Sequence, residues 1–399
     1  MTDAGPDIAT VRLQPKAERR VARGHPWIFS NELQATADSR AIAPGAVVRF
    51  ESARGELLGT GTFNPHALIA GRLLTTDGRT AIDTDFLSER LDRARHLRAR
   101  LIGGDHHRLV HAEADGLPGL VIDRYGEHLA IQLNSAGMDR LWPQLAAALQ
   151  ATLAPAGMLV GGDDNARKLE DLPPRQEVVG DWPDGPLEII ENEVRYLADP
   201  RDGQKTGWFY DHRDNRRAIA GLASGRQVLD VYCYAGGFAL ACAAAGAAGV
   251  LAIDRSETAL ALAAQAAERN GLAGRCRFRR AEAFAELAQL HGQGERFDVV
   301  ICDPPAFAKS RKQVRQALKG YRKLAWLAVR LLAPGGVLLF ASCSHHVHID
   351  ELRQEAASGL RNAGRTARIV REAGAAADHP VHPGLKESAY LKAITLIVD

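Results

Sequence analysis

The second half of the chain alternates short apolar runs with longer stretches in which apolar residues recur every three or four positions. Short apolar runs are typical of buried strands, and the longer period is typical of helices that pack on one face. The predicted strands are residues 228–231, 250–253, 276–280, 297–302, 336–341, 367–371 and 390–398, and the predicted helices are 239–245, 257–270, 282–291, 313–332 and 349–363. Alternation of this length predicts a parallel sheet covered by helices on both faces, with its ligand site outside the carboxyl ends of the strands.

The first half has shorter extended runs and fewer helices. Runs at 46–50 and 56–63 predict a small β-barrel that ends near Leu74. After it, helices and strands mix without strict alternation, which predicts a compact α+β unit. Its predicted elements are helices 83–101 and 141–153 and strands 108–113, 120–125 and 129–133. Because proline and glycine punctuate residues 172–174 and 180–186, we predict domains at 1–76, 77–186 and 187–399.

Composition indicates a globular protein but does not indicate what reaction it performs or what it binds. Hydrophobic residues make up 46% and charged residues 25%, as in ordinary globular proteins. No apolar run approaches the roughly 20 residues of a membrane-spanning helix, and residues 1–10 lack the apolar core of a secretion signal. The five cysteines form no C-x-x-C pair, so we expect a cytoplasmic protein with reduced thiols and no membrane partner. The net charge of +2 gives no argument for nucleic-acid binding, which must come from local clusters.

A glycine turn follows the first strand of the C-terminal alternation. The strand carries Asp230 near its end, and Tyr234-Ala235-Gly236-Gly237-Phe238 turns into a helix. We expect the glycines to let the backbone approach a ligand. Leu240 stands where a dinucleotide fold has its third glycine, which disfavours a pyrophosphate. Asp254, 24 residues after Asp230, ends the next strand and is placed to bind ribose hydroxyls. A nucleoside without a diphosphate fits both strand ends, and S-adenosylmethionine is the obvious candidate.

A polar loop, residues 203–216, lies directly before this turn in the sequence. It reads G-Q-K-T-G-W-F-Y-D-H-R-D-N-R, with a helix start expected at Asp211, after an extended run at 188–197. A loop rich in donors, acceptors and aromatic rings would close over a nucleoside site. The alternative interpretation is a surface loop between domains.

Two further strand ends carry the candidate chemistry. Asp303-Pro304-Pro305 follows the predicted strand 297–302. The prolines stiffen the backbone there, and the carboxylate can bind an amino group or ring nitrogen of a base. The alternative is a structural role for the prolines alone. The other strand end carries Cys343 between Ser342 and Ser344. Because cytosine C5 is a weak nucleophile, a thiolate must first add to C6, and Cys343 is placed to do so.

Other interpretations of the cysteines and of the neighbouring histidines are open. A lone cysteine is more often a small buried hydrophobe, and Cys302 is expected to be one, because it alternates with Asp303 and packs against a helix. Residues His345, His346 and His348 lack a convincing further ligand, so no metal is expected.

Two local basic clusters predict contacts with the phosphates of a polynucleotide. One spans residues 309–323 and contains no acidic side chain, although an exposed helix face is the simpler explanation. The other lies at 11–33 beside Trp27, whose ring would stack on a base or, alternatively, pack in the core. The residues predicted to bind RNA are Arg19, Arg20, Arg23, Trp27, Lys309, Arg311, Lys312 and Arg315.

Taken together, these motifs resemble the rRNA large-subunit methyltransferase I family of RNA cytosine-C5 methyltransferases. The matching segments are G-H-P-W-I-F (24–29), D-G-L-P-G-L-V-I-D-R-Y (115–125), G-Q-K-T-G (203–207), D-H-R-D-N-R (211–216), the turn 234–238, D-P-P-A-F (303–307) and S-C-S (342–344). The resemblance implies an α/β fold in which an N-terminal PUA β-barrel and a central α+β domain precede a C-terminal Rossmann-like class I methyltransferase domain. It also implies S-adenosylmethionine as methyl donor, 23S rRNA or an assembling large subunit as partner, and Cys343 and Asp303 as catalytic residues.

Seventeen residues are predicted to form the donor site. They are Gln204, Lys205, Thr206, Asp211, Arg213, Asp230, Tyr234, Gly236, Gly237, Phe238, Asp254, Arg255, Ser256, Glu282, Ala283, Asp303 and Pro304. Two positions depart from the family pattern: Glu282 replaces an aspartate that meets adenine, and Ala235 replaces a threonine. Exocyclic amino methylation of a base and a non-enzymatic RNA-binding assembly factor stay open as alternatives, and exposed strand edges in the middle domain would allow a homodimer.

Overall fold

The computed structural model describes residues 8–201, 203, 206–308 and 310–399. The chain forms two compact units. The first contains residues 1–184, 200–206 and 377–388, and the second contains 185–199, 207–376 and 389–399. The predicted barrel and middle domain therefore belong to one unit, and the three-domain division stays a prediction.

The N-terminal part of the first unit is a five-stranded sheet in the order β1-β3-β4-β5-β2. Its elements are β1 (Thr10–Arg12), α1 (Glu18–Val21), β2 (Trp27–Phe29), α2 (Ala37–Ala41), β3 (Ala46–Glu51), β4 (Leu57–Phe63) and β5 (Ile69–Thr75). Alternating side chains of β3 point inward, so that Val48 and Phe50 are buried with Ile28 in one apolar core.

The middle part of the first unit is a second five-stranded sheet in the order β10-β9-β8-β7-β6. Its elements are α3 (Thr84–Leu101), β6 (His106–His111), β7 (Leu120–Tyr125), β8 (His128–Leu133), α4 (Ala136–Arg140), α5 (Trp142–Leu153), β9 (Gly157–Gly161), α6 (Asp164–Leu169) and β10 (Glu177–Gly180). Asp83 caps α3 by accepting a hydrogen bond from Phe86 N, and the apolar face of the helix is buried. The elements α4, β9, α6 and β10 were not predicted, because they are short and lack a sustained period.

The second unit contains a seven-stranded sheet in the order β15-β14-β13-β16-β17-β19-β18. Its elements are β11 (Leu187–Glu191), β12 (Val194–Ala198), α7 (Arg213–Ala220), β13 (Gln227–Val231), α8 (Gly237–Ala244), β14 (Gly249–Asp254), α9 (Glu257–Arg269), β15 (Cys276–Arg280), α10 (Ala283–Gly292), β16 (Phe297–Cys302), α11 (Val314–Arg330), β17 (Leu332–Ser342), α12 (Ile349–Asn362), β18 (Ala367–Ala373) and β19 (Lys392–Val398). The strands β13 to β17 pair in parallel, as predicted.

The expectation of a wholly parallel sheet is wrong at its last strand. β19 runs antiparallel to both β17 and β18 and lies between them. The prediction of one extended segment at 188–197 is wrong as well. The segment forms a hairpin, because Asn192 and Glu193 adopt positive φ angles of 50° and 68° between β11 and β12. Within the described residues, no helix is long and apolar enough to cross a membrane.

Candidate active site

The glycine turn after β13 is shaped by its backbone and by neighbouring side chains. Tyr234 and Gly236 have φ angles of 48° and 77°, in the left-handed region that favours glycine. A Cβ on Gly236 would lie 2.9 Å from the Cβ of Ala263, and one on Gly237 would lie 3.0 Å from Arg216 Nη1. The space beside both glycines is thus filled by protein. Packing alone therefore requires glycine at both positions, and the approach of a ligand to the backbone of this turn stays a prediction.

Asp230, in β13, is a buried carboxylate whose environment favours protonation. Its Oδ2 accepts a hydrogen bond of 2.9 Å from Ala239 N, in the first turn of α8. Its Oδ1 is buried and has no hydrogen-bond partner among the described residues. Burial raises the pKa of Asp230 to about 8, and the charges of Asp303 and Asp254 add to the rise.

Asp254 joins the glycine turn to the start of α9. Its Oδ2 accepts from Tyr234 N at 3.0 Å and its Oδ1 accepts from Ser256 N at 2.8 Å. The Ser256 side chain caps α9 by accepting from Ala259 N. Arg255 is exposed between them. The carboxylate therefore fixes the two loops at the edge where β13 and β14 end.

These carboxylates fit a cationic nucleoside. Asp254 and Asp303 each lie within electrostatic range of Asp230, because both contribute to its raised pKa. S-Adenosylmethionine carries a sulfonium and an ammonium, which match the negative charges of Asp254 and Asp303. Its positive charges would also favour ionisation of Asp230, whose Oδ1 is buried and unpaired. Glu282 is exposed and caps α10 through Ala285 N at 2.9 Å, and Ala283 beside it is buried.

A hydrogen-bonded chain orients Asp303. Arg371 Nη1 donates to Asn215 Oδ1 at 2.7 Å, which turns the Asn215 Nδ2 group toward His212 Nδ1 at 3.2 Å. His212 Nε2 lies 3.1 Å from Asp303 Oδ2. Burial lowers the pKa of His212, whereas the charge of Asp303 and its hydrogen bond raise it. The raising effects are larger together, so the pKa lies above its usual value. Nε2 donates to Asp303 in either charge state.

The remaining predicted donor-site residues divide between the two units. In the second unit, Asp211 is buried and its Oδ2 accepts from Tyr390 Oη at 2.5 Å. Arg213 lies over the Tyr210 ring at 5.5 Å, and Phe238 is buried. Pro304 is buried after β16. Thr206 belongs to the first unit, where its hydroxyl donates to Asp123. Gln204 and Lys205 lie outside the described residues.

Cys343 follows β17 and is held by its two neighbours. Ser342 and Ser344 are fully buried, and their hydroxyls lie 2.7 Å and 3.2 Å from Tyr321 Oη. Ser344 Oγ also accepts from Ala308 N at 3.4 Å. Because both serines turn toward Tyr321, the intervening Cys343 is the residue of S-C-S that keeps partial exposure.

The other four cysteines are poor candidates for a nucleophile. All of them are buried, whereas Cys343 is not. Burial raises the pKa of Cys276 to about 11 and holds the pKa values of the Cys233, Cys242 and Cys302 thiols well above their usual range. Cys302 packs in the apolar core of the second unit, as expected from its alternation with Asp303.

The predicted RNA-binding residues differ in how far the fold already uses them. In the first unit, Arg19 and Arg23 are exposed, whereas Arg20 pairs with Glu32 at 2.5 Å and Trp27 Nε1 donates to Glu113 at 2.7 Å. In the second unit, the exposed cations at the start of α11 are Arg311, Lys312 and Arg315. Lys309 lies outside the described residues.

Sequence analysis missed three residues at this site: His212, Tyr321 and Lys392. The motif D-H-R-D-N-R contains His212, but only its neighbours were assigned. Nothing in the sequence pairs Tyr321 or Lys392 with S-C-S, since helix packing and strand register bring them there. No group of three metal-ligating side chains occurs among the residues that the structure describes, and the expected absence of a metal stays a prediction.

Two stretches of the chain match models of known protein families. Residues 151–396 match the model of an S-adenosylmethionine-dependent methyltransferase family, and residues 11–76 match that of a PUA-like domain. The proteins named ribosomal RNA large subunit methyltransferase I from Aeromonas hydrophila and Serratia proteamaculans are 37% and 36% identical to it. These matches cover 97% and 96% of this chain and 99% and 98% of the relatives.

Solved structures show the same fold at lower identity. A crystal structure of SMU.776 complexed with SAH has a TM-score of 0.84 and 20% identity, and a structure from Streptococcus mutans has a TM-score of 0.82 and 19% identity. Each match covers 98% of this chain and 100% of the other. The predicted fold class, resemblance and cofactor are confirmed. The chain therefore belongs to the ribosomal RNA large subunit methyltransferase I family and is an S-adenosylmethionine-dependent methyltransferase with an N-terminal PUA-like domain.

Proposed function

We propose that this protein methylates C5 of a cytosine in large-subunit (23S) rRNA. The observation that carries the proposal is the placement of Cys343, a partly exposed thiol at the carboxyl end of β17, in the same unit as the Asp230, Asp254 and Asp303 carboxylates. Relatives that align over nearly the whole chain bear the name of a large-subunit rRNA methyltransferase, which supports the choice of RNA.

Cys343 supplies the covalent step. Its thiolate adds to C6 of the cytosine, forming an Sγ–C6 bond and moving the C5–C6 π electrons onto C5. S-Adenosylmethionine supplies an electrophilic methyl group when bound. After C5 is methylated, a base removes the C5 proton, the C5–C6 double bond returns and the Sγ–C6 bond breaks, so that the thiolate is regenerated.

Asp303 fixes the base edge in this proposal. Its Oδ2 accepts from His212 Nε2, which sets the plane of the carboxylate. Its Oδ1 would accept a hydrogen bond from the exocyclic amino group of cytosine, so uracil, which has no such donor, would be rejected. Because both C5 and C6 must be reached, the nucleotide has to be unpaired or flipped out of its stack.

The donor and the RNA would be held by different surfaces. The residues proposed for the donor are those of the strand ends and turns of β13, β14 and β16, with Asp230 and Asp254 at the centre. Exposed cations would neutralise RNA phosphates, Arg19 and Arg23 in the first unit and Arg311, Lys312 and Arg315 in the second. The PUA-like domain supports the same choice of partner.

The decisive experiment is nucleoside analysis by mass spectrometry of rRNA from cells that lack this gene. Wild type should restore 5-methylcytidine and Cys343→Ala should not, because no other described thiol is exposed. Cys276→Ala is the matched control, since this buried thiol begins β15 at the opposite edge of the sheet. Restoration of 5-methylcytidine by Cys343→Ala would contradict the covalent mechanism. Loss of an N-methylated nucleoside that Cys343→Ala restores would favour methylation of an exocyclic amino group instead.

A further inference from the structure

We propose that Lys392 is a positioning residue that keeps Cys343 in its thiolate form. This inference rests on the proposed covalent mechanism, in which the thiolate is the attacking species. Lys392 begins β19, the antiparallel strand that the sequence pattern did not reveal as the neighbour of β17. The register of that pairing places Lys392 directly opposite Ser342, one residue before the thiol.

The ammonium group of Lys392 is fixed over the S-C-S segment. Its Nζ donates to Ser344 O at 2.6 Å and to Tyr390 O at 2.7 Å. The first carbonyl belongs to the residue that follows Cys343, and the second lies two residues before Lys392 on the approach to β19. Because Ser344 is itself held by Tyr321, the cation and the thiol share a rigid support.

The surroundings keep Lys392 charged at neutral pH. Burial lowers its pKa to about 8, while the nearby Cys343 and Glu351 raise it. Two carbonyl acceptors also favour an ammonium over an amine, since the ammonium has three donors and no acceptor. The protonated form therefore prevails below pH 8.

The titratable groups that face the thiol belong to the elements packed around it. Tyr321 of α11 and Lys392 of β19 interact electrostatically with Cys343, and Glu351 of α12 faces Lys392. His345 follows in the sequence and its ring lies 5.5 Å from that of Tyr390. A carboxylate opposes ionisation of a thiol and a neutral phenol adds no charge, whereas the ammonium group of Lys392 favours it. The thiol proton leaves to water and Lys392 retains its own.

The test measures the thiol without RNA or methyl donor. The full chain is alkylated with iodoacetamide from pH 6 to pH 10, and labelling of Cys343 is followed by mass spectrometry. Lys392→Gln retains a donor for the carbonyls but loses the charge, so labelling at pH 7 should fall about tenfold, as expected for a thiol pKa about one unit higher. Lys392→Arg, which retains the charge, should restore at least half of this loss. Lys168→Met removes a charge from an exposed lysine of α6 and should change nothing.

The outcomes separate this inference from the proposed function. An unchanged pH profile in Lys392→Gln overturns the role of Lys392, and so does an Arg variant that behaves like Gln. Nucleoside analysis of rRNA tests the proposed function. Alkylation of Cys343 tests the role of Lys392 independently, because it needs neither RNA nor methyl donor. Retained S-adenosylmethionine binding by calorimetry in each variant shows that the second unit is folded.

Discussion

Asp230 is a single residue whose burial links folding to pH. A carboxylate with its folded pKa near 8 and an unfolded value of about 3.9 holds a proton in the native state that the unfolded chain has lost. Between these pH values the free energy of unfolding must therefore fall as pH rises. The limit for one proton is about 1.4 kcal/mol per pH unit.

Asp230→Asn removes this titration while keeping an acceptor for Ala239 N. In the ligand-free protein, we expect the variant to gain stability relative to wild type as pH rises from 5 to 8, by up to about 1.4 kcal/mol per unit. Urea unfolding at several pH values measures the difference. A constant difference between the two proteins would show that Asp230 does not titrate in this range. Asp184→Asn, at an exposed carboxylate, is the control and should follow wild type.

Residues at strand ends were the ones that the sequence could predict. Asp230, Asp254 and Cys343 each follow an apolar run, and parallel strands bring such positions to one edge of a sheet. Tyr321 and Lys392 could not be found in this way. Tyr321 reaches the serines from within α11, and strand register brings Lys392 to the carbonyl of Ser344 beside the thiol. Neither helix packing nor strand register can be predicted from the hydrophobic period of the sequence.

At the scale of elements, the start of α7 determines how Asp303 is presented. Buried Asn215, fixed by Arg371, turns His212 toward the carboxylate that follows β16. Because a hydrogen bond to a charged group contributes about 1.5–3 kcal/mol, losing this donor should cost about ten- to a hundredfold in rate. We expect His212→Leu to lower kcat for RNA methylation by that factor, with little change in KM for the methyl donor.

His212→Gln provides the matched comparison, since its amide can still donate to Asp303. It should retain most of the activity that His212→Leu loses, in steady-state assays with RNA and S-adenosylmethionine. Equal losses in both variants would mean that the imidazole does more than orient the carboxylate, and no loss in either would remove His212 from the site.

The hydrophobic pattern predicted most helices and strands of the second unit, but not which strands pair with one another or in which direction. Predicted strands at 276–280 and 297–302 match β15 and β16. β16 is a buried apolar run, as expected of a central parallel strand, whereas β15 is an edge strand in which three of five residues are exposed. The direction of β19 was missed, since an apolar strand reads alike in either direction. The β11–β12 hairpin was missed because its turn, Asn192-Glu193, contains no glycine.

At the scale of the whole molecule, the two units are not consecutive stretches of chain. Residues 200–206 and 377–388 return to the first unit from sequence that otherwise belongs to the second. Asp378 anchors the longer return and is fully buried. Its Oδ2 accepts from Arg108 N at 3.1 Å, its backbone carbonyl accepts from Arg98 at 2.9 Å, and its Oδ1 lies 2.8 Å from His379 Nδ1.

Asp378→Ala should loosen this return segment, because it leaves buried donors on Arg108 and His379 without their acceptor, at a cost of about 1–3 kcal/mol. Lys386 is exposed within the segment and reports the change as a tryptic site. We expect cleavage after Lys386 to accelerate at least about fivefold in the variant, because proteolysis follows the population of the open form. Asp184→Ala, an exposed carboxylate of the same unit, should cleave like wild type. If Asp378→Ala also cleaves at the wild-type rate, the side-chain contacts with Arg108 and His379 do not hold the segment, and the discontinuous unit is stabilised elsewhere.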